Sequence, residues 1–231
     1  MTRLLFINVA MFIFIIAIKT VAILFLVRHA DMTEHLFQFH WDWTETVRMP
    51  WSILTAMFTS HGIWHLIFNM LVLYWSGTIF LQYFNNSTLR GVYVLGALAS
   101  MVFYAIPFYV SHSLQGNVAS PCFPAASGAI LTIATVLSFK APDHAEPLPV
   151  IGPFKNKYMT LVLILIDIAL FPAGNPATDM AHLGAFLCGY MFITMSRKGI
   201  DMTKPVTKAY IIIEELSQKI LKSVRNRKAQ P

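Results

Sequence analysis

Long apolar runs alternate with short polar breaks along most of this chain, and the runs have the length of helices that cross a bilayer. A hydrocarbon core about 30 Å thick is crossed by roughly 20 apolar residues in a helix. The first run, Leu4 to Val27, is bracketed by Arg3 and Arg28. It is too long for a signal-peptide core and lacks a small-x-small cleavage pattern, so it reads as a retained span. Ile63–Phe84 and Leu89–Val110 are the second and third runs. Ala126–Phe139 and Tyr158–Phe171 are shorter, and Thr178–Ser196 is the sixth. The breaks carry turn formers: Asn85-Asn86-Ser87, Ser111–Pro124, the Pro-rich Lys140–Lys157, and Pro172–Pro176. This pattern predicts an all-α polytopic membrane protein with six spans over residues 1–196 and a tail over 197–231. No internal repeat is evident, which argues against a transporter built from two related halves.

Composition sharpens the picture. Only 28 of 231 residues are charged, 12%, against about 25% in soluble domains. That deficit excludes a disordered chain, a nucleic-acid-binding domain and an ordinary cytosolic enzyme. The net charge of +6 belongs to the tail, because Arg197 onward holds nine Lys/Arg and three acids, while the preceding body holds eight of each sign. With the N-terminus inside, the inner loops and tail carry 14 cations and the outer loops only Arg28 and Arg48. Cations favour the cytoplasmic side, so both termini are expected there. Lys19, inside the first span, is expected to snorkel outward. The outer loop Arg28–Pro50 holds His35, Phe37, Phe39, Trp41 and Trp43, residues suited to the membrane boundary, and is expected to lie partly in that interface. In the tail, Ala209–Val224 has the spacing of an amphipathic helix for an anionic inner leaflet. A plain six-span form without a transit peptide is expected in a bacterial plasma membrane.

Polar residues inside a bilayer are costly and point to function. At about 1.5 Å per residue, Ser127 lies about 20 Å above Lys140 and His182 about 22 Å above Arg197. By the same rise Asn69 lies about 24 Å above Asn85, with His65 one turn higher. Four polar side chains from three spans therefore share one level in the outer half of the membrane. A Ser hydroxyl becomes a nucleophile when a neighbouring base takes its proton, and His suits that role. His65 and Asn69, four residues apart, share a helix face and can both donate to a developing oxyanion. Ala125, Ala126, Gly128 and Ala129 surround the Ser, and Ala181, Ala185 and Gly189 line the His helix, so these spans can approach closely.

Other polar residues have plainer readings. His61 and His65 have a zinc-pair spacing but lack the Glu of a zincin helix, and no third ligand is obvious. Asp179 falls where a helix begins and suits a cap. Asp167 sits within the fifth span, where it must face protein or water. The spacing of Cys122 and Cys188 suggests neither a disulfide nor a metal site.

The residues carry a resemblance. His65-Leu66-Ile67-Phe68-Asn69-Met70, Ala125-Ala126-Ser127-Gly128-Ala129 and Ala181-His182-Leu183-Gly184 resemble, in order, the H-x-x-x-N-M, G-x-S-G-A and A-H-L-G elements of the rhomboid family of intramembrane serine proteases. Phe58 and Gly77 also fall where that family tends to have them, and the likeness covers about residues 45 to 195. Ala125 stands where the family has Gly, Ser60 where it often has a His, and Leu131 where an aromatic is common. The resemblance implies a six-transmembrane-helix rhomboid-like bundle whose short fourth span starts in a cavity. It implies a Ser127–His182 dyad, an oxyanion site at His65, Asn69 and the Ser127 N–H, and a gate near span five and Pro172–Pro176. The implied activity is cleavage of transmembrane-helix substrates near the outer membrane boundary, with the lipid bilayer as solvent and neither cofactor nor metal. The alternative is a non-catalytic rhomboid-like protein that binds membrane helices.

Overall fold

The computed structural model describes residues 1–25, 32–111, 122–148, 152–170 and 176–228. Among these residues the chain is mostly helical. α1 (Thr2–Leu24) is followed by three short helices, α2 (Met32–Phe37), α3 (Trp43–Arg48) and α4 (Trp51–Ala56), with strand β1 (Phe39–His40) between α2 and α3. Then come α5 (Ile63–Tyr83), α6 (Asn86–Val110), strand β2 (Cys122–Phe123), α7 (Ala126–Lys140), strands β3 (Ala145–Leu148) and β4 (Gly152–Lys155), α8 (Asn156–Leu170), α9 (Pro176–Arg197) and α10 (Lys204–Lys228). α1, α5 and α6 are each long and apolar enough to cross a membrane, which makes the chain an integral, multi-pass membrane protein. The apolar runs read from sequence coincide with α1 and α5 to α9 to within a few residues. Val27, Arg28, Phe171 and most of the Pro172–Pro176 break lie outside the described residues.

α7 is the centre of the bundle. Every residue from Gly128 to Ser138 is buried, under α5, α6, α8 and α9. At 15 residues it is about 22 Å long, less than the hydrocarbon thickness of about 30 Å. Outward-facing apolar side chains, such as Phe6, Ile13, Val102 and Val110, are exposed and suited to lipid contact.

Helices in lipid gain little from burying apolar surface on one another, so close packing and hydrogen bonds hold them. Both occur around α7. A Cβ on Gly189 of α9 would lie 2.8 Å from the Thr132 carbonyl oxygen of α7, and a Cβ on Gly128 of α7 would collide with Ser100 of α6. Only hydrogen at these Cα atoms permits the observed spacing. Lower on α7, the Ser138 hydroxyl lies 2.7 Å from the Asn156 carbonyl oxygen and 2.9 Å from the Thr160 hydroxyl, tying α7 to α8. On the opposite flank, the Tyr93 hydroxyl of α6 donates to the Met57 carbonyl at 2.7 Å and accepts from the Asn8 amide of α1 at 3.0 Å. Each bond removes a polar group from the cost of sitting in apolar surroundings.

Two breaks read as loops contain short ribbons. β1 pairs antiparallel with β2, and β3 with β4. The first ribbon holds Phe39 and His40 against the segment that leads into α7, and the Ala125 N–H donates to the Ala56 carbonyl at 2.8 Å. Asp42 caps α3 through its carboxylate. Burial holds the His40 imidazole below its ordinary pKa, outweighing the opposing bond to the His35 carbonyl. The start of α10 packs on α6, with the Arg90 guanidinium 4.1 Å from the Tyr210 ring centre and the Ser87 and Thr207 hydroxyls 3.2 Å apart.

The packing at Gly189 gives a direct expectation. Gly189→Ala forces α9 away from α7 and lowers stability by about 1–3 kcal/mol. Reversible unfolding in mixed micelles measures it, and an unchanged midpoint would contradict the close approach.

Candidate active site

α7 begins with Ala126, and the Ala129 N–H to Ala125 carbonyl bond, at 3.2 Å, is its first intrahelical bond. Ser127 thus stands in the first turn, where backbone N–H groups have no intrahelical acceptor. Its Oγ lies 3.3 Å from Nε2 of His182, which is buried two turns into α9. For Nε2 to accept the hydroxyl hydrogen, the ring's own hydrogen must sit on Nδ1. The separation is within reach for a nucleophile and its base, which are often loosely set before substrate arrives.

His65 and Asn69 face the dyad from the first two turns of α5. The His61 N–H donates to His65 Nδ1 at 3.3 Å. That bond puts the neutral ring's hydrogen on Nε2, which faces the Asn69 Nδ2 at 3.5 Å. Two N–H donors gain nothing from each other, and a common acceptor between them suits both.

These four residues line one cavity of about 370 Å³, between α5, α7, α8 and α9. The rest of its wall is apolar: Trp64 and Phe68 of α5, Ile130 and Leu131 of α7, Leu163 and Ile164 of α8. Such a cavity suits an apolar ligand with one polar group to be held at the dyad. Among the described residues α8 packs on α7 and makes few contacts with α5.

The position of the dyad rests on a residue the sequence reading passed over. The Thr132 hydroxyl lies 2.9 Å from both the Gly128 and the Ala185 carbonyl oxygens, the latter on α9 three residues past His182. It ties the two helices one turn beneath Ser127 and His182. A hydroxyl in a small-residue span was the available signal. Leu163, Ile164 and Trp64 are further lining residues that read only as apolar positions in the sequence. Asp179 sits exposed in the first turn of α9, where a carboxylate favours the helix dipole. The Asp167 side chain lies outside the described residues, as does most of the Pro172–Pro176 gate segment.

Comparison with known proteins adds an independent observation. The family model described as Rhomboid domain matches residues 47–199. The chain is also similar to RHOMBOID-like protein 12, mitochondrial, of Arabidopsis thaliana, with 29% identity over 157 residues. That match covers 64% of this chain and 47% of the plant protein, so the chain spans about half the length of the curated relative.

The tie beneath the dyad can be tested. Thr132→Val removes it and lowers stability by about 0.6 to 1.7 kcal/mol, the range for hydrogen bonds between membrane helices. Thr132→Ser keeps the hydroxyl and loses less. Equal loss in both variants, by micelle unfolding, would show that the hydroxyl contributes nothing.

Proposed function

The chain belongs to the rhomboid family, and we propose that it is an intramembrane serine endopeptidase that cuts transmembrane helices. The observation that carries this reading is the 3.3 Å approach of Ser127 Oγ to His182 Nε2 in a cavity whose opposite wall presents His65 and Asn69. His182 Nε2 takes the Ser127 proton as Oγ attacks a peptide carbonyl carbon. The carbonyl oxygen, now an oxyanion, accepts hydrogen bonds from the Asn69 amide, the His65 Nε2–H and the Ser127 N–H. Fixed donors placed where charge develops are worth most in such a low-dielectric site. The C–N bond then breaks, and His182 returns its proton to the leaving amine. Water delivers the second attack: His182 takes its proton, the ester bond breaks, and Ser127 recovers its hydrogen.

The apolar wall supports a substrate that is itself a membrane helix, single-span or part of a larger protein, unwound at the cut. The scarcity of contacts between α5 and α8 supports lateral entry there. Charge distribution supports six spans with both termini on the inner side. The dyad then lies in the outer half of the bilayer, and cleavage falls near the outer boundary.

The test is cleavage of a single-span model substrate by the purified chain in liposomes. Wild type cuts it, while Ser127→Ala and His182→Ala reduce cutting to background. Asn69→Ala lowers kcat by about 10²–10³, as for loss of one oxyanion donor. A wild-type chain that binds the helix without cutting it, in amounts equal to Ser127→Ala, would support a non-catalytic rhomboid-like protein instead.

A further inference from the structure

A second group of chemically able side chains lies at the Ser127 end of the bundle. His35 is near the end of α2, His40 is in β1, and Cys122 opens β2. Strand pairing sets His40 opposite Cys122. One nitrogen from each His and the Cys122 Sγ lie within 4.8 Å of one another. None of the three lines the Ser127 cavity.

The details suit a metal ion. His40 Nε2 lies 2.6 Å from the His35 carbonyl oxygen, so it carries the ring hydrogen and donates it. A backbone carbonyl on the non-ligating nitrogen is how proteins orient a metal-binding His. The lone pair of His40 is then on Nδ1, which lies 3.6 Å from Cys122 Sγ. A tetrahedral ion with bonds of about 2.0 Å to nitrogen and 2.3 Å to sulfur separates those atoms by about 3.5 Å. The separation matches, but Sγ also lies 4.0 Å from Nε2, beside the ring and off the Nδ1 lone pair, so the Cys122 side chain must turn for both atoms to meet one ion. The His35 ring, centred 4.1 Å from the His40 ring, is exposed and can turn to supply a third ligand. His40 and Cys122 are buried beneath it.

We propose that His35, His40 and Cys122 form a site for a zinc-class divalent cation, with water in the fourth position. Imidazole and thiolate are the ligands such borderline ions prefer. Binding exchanges the Cys122 S–H bond for a metal–sulfur bond and releases one proton to solvent. The ion joins α2, β1 and β2, and β2 leads directly into Ala125 and the Ser127 turn. Its role is to fix the backbone that enters α7. This inference stands apart from the protease reading and can be tested on the Ser127→Ala chain.

The probe is Co²⁺, titrated into the full-length chain in detergent. One equivalent is expected to give visible bands of tetrahedral cobalt and a near-ultraviolet thiolate-to-cobalt band, both abolished by added Zn²⁺. Cys122→Ser removes the thiolate band and Cys188→Ser leaves it. His35→Ala keeps the band but weakens binding by about 10–100-fold or more. No thiolate band in the Cys122-containing chain would overturn the site. So would a band that survives Cys122→Ser or vanishes in Cys188→Ser, or binding unchanged by His35→Ala.

Discussion

The distance between α7 and α9 governs the rest of this molecule. Ser127 and His182 are 55 residues apart in the chain, and nothing local holds one near the other. Their approach follows from two helices lying close enough for Gly189 to rest on the Thr132 carbonyl, with Gly128 making room for Ser100 on the far side. Larger residues at these points would part the helices, and no hydrophobic force in lipid would bring them back. The Thr132 hydroxyl, bonded across to the Ala185 carbonyl, fixes the helices at the level just below the dyad. Small residues thus set the spacing, and one hydroxyl adds a fixed point of contact.

A second constraint is the cost of polar groups away from water. Most buried polar side chains of the bundle are matched locally: Asn8 with Tyr93, Ser138 with Thr160, Ser76 with the carbonyl one turn back. The first two of these bonds join helices, and the third stays within α5. The group around the cavity differs in kind. Ser127 pairs with a base on another helix, and His65 and Asn69 present two donors to a shared space. α7, at 15 residues, is shorter than the apolar helices α1, α5 and α6, and this group stands at its first turn.

Much of this was legible in the sequence, for a physical reason. Apolar runs must be helices of known rise, so the level of Ser127, His182, Asn69 and His65 follows from counting, and the structure lines one cavity with all four. Helix ends were also legible where chemistry marks them, as at Asn85, whose side chain caps α6. The rest depends on contacts between distant segments. The β1–β2 ribbon joins two-residue strands more than 80 residues apart, too short for any alternation to announce them. The spacing of Cys122 and Cys188 gave no hint of a metal, because the partners of Cys122 are histidines brought over by that ribbon. Thr132 was passed over, since its acceptor is a backbone carbonyl on another helix. Leu163 was indistinguishable from a lipid-facing position until the cavity it lines was seen.

The central claim is that Ser127 is a nucleophile activated by His182. It is tested most directly by reacting the purified chain with a fluorophosphonate and mapping the adduct by peptide mass. The account predicts one adduct per chain, on Ser127, formed in wild type and lost in His182→Ala. An adduct on another residue, none on Ser127, or equal labelling of Ser127 in His182→Ala would contradict it.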